Sequence, residues 1–184
     1  QPGWLKSVDT QSRHDDWTRD PSIIPIAQRG SGLGSIRKTL SLASIGAEDA
    51  KAFAERAFDE HRKCVDDGEH GHITLVVCNT VHRACETFDA LRALVPAQQV
   101  ELVPSRFRPA ERVEWRQRFL SRTACVAGAD RIIVATQVVE AGVDISAGCV
   151  VTDLAPWPSL VQRFGRCARY GGSGAVLVVD RGRD

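Results

Sequence analysis

The chain has 184 residues, enough for one domain with a full-sized core. Its 24 Lys plus Arg balance 23 Asp plus Glu, so there is no global basic field and any nucleic-acid contact must be local. A hydrophobic fraction of 43% excludes a disordered chain, and no apolar run approaches the roughly 18 residues of a membrane span.

The chain begins with Gln and contains no Met, as expected of a fragment or a processed product, and no signal peptide opens it. Residues 1–35 read as an irregular polar connecting segment, with Trp4 and Trp17 suited to docking on a neighbour. In RGSGLGS, Gly30, Gly32 and Gly34 lack both the spacing and the following Lys-Ser/Thr of a phosphate-binding loop, so the stretch reads as a flexible turn. Alternation begins after it. IRKTLSLASI (36–45) suits a strand, and EDAKAFAERAFDEHRKC (48–64) is helical by the spacing of Ala, Phe and charge. ITLVVCN (73–79) is a continuous apolar run, which marks a strand buried on both faces. VHRACETFDALRAL (81–94) suits a helix and QVELV (99–103) a strand. PAERVEWRQRFLS (109–121) is a helix with Pro109 in its first turn. RIIVA (131–135) and CVVTDL (149–154) are strands, 158–170 a helix and AVLVV (175–179) a last strand. Strands alternating with helices at short spacing predict an α/β fold, a parallel sheet flanked by helices on both faces.

Cys64, Cys78, Cys85, Cys125, Cys149 and Cys167 form no C-x-x-C pair and fit no zinc spacing. They read as buried small hydrophobes in a reducing compartment. His70 and His72 in GEHGH have no third ligand in sequence reach; the stretch reads as a solvated loop, and no metal is assigned to this chain.

Ligands of parallel sheets bind beyond the carboxyl ends of the strands. Those positions hold Asn79 and Thr80, Pro104 to Arg108, Thr136 and Gln137, and Ala155 to Trp157. This edge is polar and arginine-bearing, with neither paired carboxylates nor a Ser-His-Asp set, and it suits the holding of phosphates. In RIIVATQVVEAGVDIS, Thr136 is placed to cap a short helix and leave backbone N–H groups for a phosphate. Gly142 permits a turn or a close approach, and Asp144 is able to accept a hydrogen bond from a sugar hydroxyl. A capped βα turn with a surface Asp is an equal reading of those residues alone. In LVQRFGRCARY (160–170), Gln162, Arg166 and Arg169 fall on one helical face, opposite Leu160, Val161, Phe164, Cys167 and Ala168. Taken alone the stretch is either an amphipathic helix with solvated arginines or an arginine row aimed at phosphates, which the planar guanidinium binds bidentately.

ATQVVEAGVDI followed by LVQRFGRCAR resembles motifs V and VI of superfamily 2 helicases, and Gln162, Arg163, Gly165, Arg166 and Arg169 match motif VI position for position. LVVCNT (75–80) resembles motif IV. The resemblance implies a second RecA-like domain over 36–184, preceded by the connecting segment. SRFRPAER (105–112) resembles a segment of the CRISPR-associated helicase–nuclease of type I systems, with Pro104 standing where that family has His.

That resemblance implies the C-terminal RecA-like half of an ATP-dependent single-stranded DNA translocase in type I CRISPR interference. ATP with Mg2+ would sit between two such domains, the metal ligands on the first, which is missing here together with a Walker A lysine, an Asp-Glu box and a His-Asp nuclease motif. Arg166 and Arg169 would be arginine fingers acting with Gln162. Gly142, Asp144 and Arg163 would lie at the nucleotide. Asn79, Thr80, Ser105, Arg106 and Thr136 would line the single-strand track, mostly on its backbone. The implied partners are single-stranded DNA, the first RecA-like and nuclease domains of the same protein and a CRISPR surveillance complex, in the prokaryotic cytoplasm and with no membrane. The isolated fragment is expected to be inactive. Another superfamily 2 DNA or RNA helicase, and an inert RecA-like module that binds nucleic acid or protein, are the competing readings.

Overall fold

Val, Ile and Leu fill the inner strands so densely that neither face of the sheet tolerates water. The computed structural model describes residues 36–47, 49–66, 70–96, 99–104 and 117–182. In chain order these form β1 (Arg37–Ser44), α1 (Ala50–Lys63), β2 (His72–Val77), α2 (Val81–Arg92), β3 (Val100–Val103), β4 (Asp130–Ala135), β5 (Cys149–Asp153), α3 (Trp157–Phe164) and β6 (Ser173–Asp180). Single 3₁₀ turns lie at Arg122–Ala124 and Gln137–Val139. The six strands make one sheet in the order β1-β6-β5-β2-β4-β3, and every pairing is parallel. The expected α/β architecture is present.

Strand periodicity divides the core into two layers. Val76, Val134, Val151 and Leu177 face Phe53, Ala54 and Ala57 of α1 and Ala84 and Leu91 of α2. Leu75, Val77, Ile133 and Val150 face the other way, onto Phe119, Leu120, Val139, Ile145 and Leu160. The two longer helices start at side-chain caps: Asp49 accepts from the Ala52 amide at 2.8 Å and Thr80 from the Arg83 amide at 3.2 Å. The second cap matters for position, because Thr80 follows directly from the carboxyl end of β2.

Three expectations are corrected. The helix foreseen over 158–170 stops at Phe164, with Gly165 as its C-cap. Beyond it the backbone finds partners elsewhere: Ala147 N–H donates to Arg166 O at 2.9 Å and Ala168 N–H to Ala147 O at 2.8 Å. Those bonds, and the weak helix propensity of Gly165, outcompete another helical turn. Thr136 precedes its 3₁₀ turn but makes no capping bond; its hydroxyl is buried without a hydrogen-bond partner among the described residues. GEHGH is not a solvated loop where it is described, since His70 is buried and its ring nitrogens lie 2.9 Å from Gly71 O and 2.8 Å from Ser173 O. Ser105, Arg106, the SRFRPAER stretch, most of the helix foreseen over 109–121 and the 1–35 segment lie outside the described residues.

All six cysteines are free, and Cys78, Cys125, Cys149 and Cys167 are buried. Burial pushes the Cys78 and Cys167 thiols up to about 12, so they stay protonated and behave as small apolar groups.

Gly174 in β6 brings the segment after α3 onto the sheet. A Cβ there would collide with Cys167 Sγ and stand 3.0 Å from Gly148 O. Gly174→Ala is expected to cost about 1–3 kcal/mol through overpacking, whereas Gly46→Ala, which meets only the Asp49 Cβ at 3.8 Å, is expected to be near neutral. Urea unfolding of the two variants beside the parent chain measures the difference.

Candidate functional site

The carboxyl edge of the sheet is organised by Arg163, which α3 carries inward. It is only 3% exposed, and a buried guanidinium has to be surrounded by acceptors. Glu140 supplies the charge: its Oε1 lies 2.9 Å from Arg163 Nε and 2.8 Å from Nη2. Arg163 Nη1 donates to Thr152 Oγ1 at 2.7 Å, Asn79 Oδ1 at 3.1 Å and Asp153 O at 3.2 Å. Ser159 Oγ completes Glu140, donating to Oε2 at 3.0 Å. The Asn79 amide nitrogen in turn donates to Leu154 O at 2.8 Å, and the Asn79 backbone N–H to Asp153 Oδ2 at 2.8 Å. One side chain thus ties the end of β2, the end of β5, the turn after β4 and α3 into a single polar network.

Arg166 repeats the device one turn later with backbone acceptors. Its Nε donates to Val139 O at 2.9 Å, Nη1 to Val143 O at 2.8 Å and Nη2 to Glu140 O at 2.7 Å. The loop after β4 is therefore wrapped around this guanidinium, and Gly142 provides the left-handed turn, φ +70°, that lets the carbonyls converge. Burial, and then the neighbouring Arg169, lower the Arg166 pKa from its ordinary value. Ala168 sits at φ +43°, an uncommon conformation for a residue with a Cβ, and it turns the chain so that Arg169 leaves the core. The Arg169 backbone N–H donates to Ser146 Oγ at 2.9 Å. Its side chain, 39% exposed, meets Asp144 Oδ1 at 3.2 Å.

These residues line a cleft of about 510 Å³ formed by Gln117, Leu120, Ser121, Gly142, Val143, Asp144, Arg166 and Arg169. Of the residues singled out in the sequence, Gly142, Asp144, Arg166 and Arg169 meet there. Gln162 is exposed on α3 and does not line it. Arg163 is internal and Arg166 is held by three carbonyls, so the two do not share one open face with Arg169. Asn79 is committed at both ends of its amide, Thr80 caps α2 and the Thr136 hydroxyl is buried.

Sequence reasoning passed over Glu140, although VVEAG shows a carboxylate inside an apolar run, which signals a buried partner. It also passed over Asp153 and Arg181, both buried at 1–2% exposure. Asp153 Oδ1 and all three Arg181 nitrogens make no hydrogen bond among the described residues, and the nearest approach between them is 3.8 Å. The Arg181 guanidinium lies over the Phe53 ring, 5.0 Å from its centroid. Burial raises the Asp153 carboxyl above its usual range. With Asn79 and Arg83 the pair borders a second cleft of about 460 Å³ at the carboxyl ends of β2, β5 and β6.

A parallel α/β sheet with motif IV at its carboxyl edge and motif V and VI residues packed against one another defines a RecA-like helicase domain of superfamily 2. Comparison with known proteins narrows the class. The family described as CRISPR-associated nuclease/helicase Cas3, C-terminal, matches residues 70–172, more than half of the chain, and the chain belongs to it. The CRISPR-associated nuclease/helicase Cas3 of Streptococcus thermophilus is 30% identical over 118 residues, which are 63% of this chain but 12% of that protein. Its counterpart in Haloferax volcanii is 38% identical over 86 residues, 44% of this chain and 9% of the relative. Among solved structures, T. fusca Cas3-AMPPNP superposes with a TM-score of 0.64 at 22% identity, covering 80% of this chain and 18% of that one. S. cerevisiae Dbp5 bound to RNA and ADP BeF3 superposes at 0.59 with 18% identity, covering 80% of this chain and 36% of that one, a likeness of fold. The chain thus corresponds to a small part of its Cas3 relatives. Among the described residues no helix is long and apolar enough to cross a membrane.

Glu140→Ala leaves Arg163 buried without its counter-charge. The expected loss is about 3–5 kcal/mol of stability, with a smaller loss for Glu140→Gln, which keeps an acceptor; denaturant unfolding of both checks it.

Proposed function

We propose that this chain is the second RecA-like half of an ATP-driven single-stranded DNA translocase serving type I CRISPR interference, and that it completes an ATP site built mainly on a first RecA-like domain. The observation that carries the reading is the cleft in which Gly142 and Asp144 of the loop after β4 meet Arg169 of the segment after α3. It offers a half-exposed guanidinium, a carboxylate suited to a sugar hydroxyl and a glycine open to close approach. A phosphate is a better partner for a surface guanidinium than a single carboxylate, because three oxygens and a higher charge compete for the same donors.

The two arginines then divide the work. Arg169 reaches the γ-phosphate and stabilises charge on its oxygens as water attacks and the bridging bond to the β-phosphate breaks. Arg166 keeps the loop after β4 in shape and lines the cleft as a second guanidinium beside the nucleotide. Arg163 positions both through Glu140, and Gln162, outside the cleft on the exposed side of α3, ties it to the nucleic-acid groove. Mg2+ is held by carboxylates of the first domain. The single strand runs over the carboxyl edge near Asn79, Thr80, Thr136, Ser105 and Arg106. Arg83 beside Asn79 adds positive charge for its phosphates. The nuclease domain and a CRISPR surveillance complex are the further partners of this reading, in the prokaryotic cytoplasm.

The test is ATP hydrolysis by the chain extended upstream through its partner domain, with and without single-stranded DNA. DNA-stimulated turnover is expected to fall by about 10³–10⁵ in Arg169→Ala with little change in melting temperature. Arg166→Ala is expected to lose both turnover and stability. The isolated 184-residue chain is expected to show no turnover, and hydrolysis by the pure fragment would overturn the shared-site reading. An extended chain that binds DNA but never hydrolyses ATP would favour the inert binding module.

A further inference from the structure

The opposite, amino edge of the sheet carries a second constellation that owes nothing to the phosphate-facing clefts. His72 and Asp130 open β2 and β4 and are direct partners in the parallel register. The last turn of α1 packs over them and brings His61 to the same place. His72 Nδ1 lies 2.9 Å from Asp130 Oδ1, and His61 Nε2 lies 3.1 Å from the same oxygen. One ligand atom from each of the three residues falls within 4.8 Å of the others.

The remaining contacts decide which ring nitrogens carry hydrogen. His72 Nε2 stands 2.7 Å from the His61 carbonyl oxygen. A carbonyl only accepts, so His72 Nε2 is an N–H donor and Nδ1 is the nitrogen that faces Asp130. His61 Nδ1 is tied to Thr74 Oγ1 at 2.9 Å, which fixes its ring and points Nε2 at the same carboxylate oxygen. The two rings are stacked, 4.1 Å between centroids and 15° between planes. Asp130 Oδ2 is held by Gln99 Nε2 at 3.0 Å. Each ligand atom therefore has a supporting bond on its far side, the arrangement that orients ligands around a metal ion.

We propose that His61, His72 and Asp130 form a site for a divalent transition-metal ion of the zinc class. Two imidazole nitrogens and one carboxylate oxygen are the donor set zinc prefers when its fourth position is left to water. Zinc bonds of about 2.0–2.1 Å place tetrahedral ligands about 3.3 Å apart, close to the two nitrogen–Oδ1 spacings, and an ion held in both ring planes turns the two rings out of their stack. The Asp130 side chain is 44% exposed and the His72 side chain 30%, which leaves the fourth position on the solvent side. The ion pins the end of α1 to the starts of β2 and β4, on the face of the sheet opposite the one that packs Leu120 and Val143 of the nucleotide cleft. Its role is structural, and it stands whether or not the ATP reading holds.

The experiment uses the untagged 184-residue chain stripped with a chelator. Zn2+ titrated by calorimetry is expected to bind at one site per chain, and Co2+ in its place is expected to give the visible bands of a four-coordinate ion that Zn2+ then abolishes. At a hundredfold excess over the dissociation constant, zinc is expected to raise the melting temperature by about 5 °C or more. Asp130→Asn and His72→Gln are expected to weaken binding about a hundredfold, while His82→Gln, on the exposed face of α2, leaves it unchanged. Nitrogen-15 spectra of the parent chain give the assignment without any substitution: zinc should move His61 Nε2 and His72 Nδ1. Failure to bind at one site, equal binding by Asp130→Asn, or unmoved resonances for those two nitrogens would each overturn the proposal.

Discussion

A guanidinium taken out of water must be answered on every side, and the Arg163–Glu140 pair is where this fold meets that demand. The pair joins elements that sheet hydrogen bonding alone would leave independent. Arg163 reaches the ends of β2 and β5, while Glu140 belongs to the turn after β4. Because Glu140 also lends its carbonyl to Arg166, the two arginines share one residue as a pivot. Displacing any member leaves a buried charge or carbonyl unanswered, so the network keeps one geometry.

That rigidity sets the character of the cleft. Asp144 and Arg169, two of its charged residues, come from chain segments about a helix and a strand apart, yet both are fixed at the base by the same arginine network. Asp144 follows the loop that Arg166 encloses, and Arg169 follows the left-handed turn at Ala168. Only the tips of the two side chains remain adjustable. Their mutual ion pair is exposed and hence weak, which makes it a resting contact that a stronger anion displaces without disturbing the core.

The strands and the two capped helices were legible because each announces itself locally: apolar runs such as ITLVV and RIIVA, and a cap residue before each helix. Motif spacing likewise picked out Gly142, Asp144 and Arg169, which line one cleft. What the sequence concealed was settled by contacts distant along the chain. The helical wheel put Gln162, Arg166 and Arg169 on one open face, but the backbone after Gly165 pairs with Ala147 and turns Arg166 inward. Thr136 has the residue type of a cap, yet packing at the end of β4 buries its hydroxyl instead. His72 was read with His70, its neighbour in sequence, whereas the register of two parallel strands and one helix end sets it against Asp130 and His61.

Strand β1 lies at the margin of the sheet and pairs with β6, Arg37 opposite Ser173 and Ser44 opposite Asp180. The earliest strand of the unit to leave a ribosome thus waits for the last before it finds its neighbour. During that interval Leu40 and Leu42, still 60% and 77% exposed in the finished fold, stand on an open edge that invites pairing with other nascent chains. Arg37 and Lys38 precede those leucines in the strand, and their charge is the kind of guard that discourages such contacts. Synthesis of this unit is therefore a race between completing β6 and clumping at β1, and interruptions in translation beyond β5 are where that race is most easily lost.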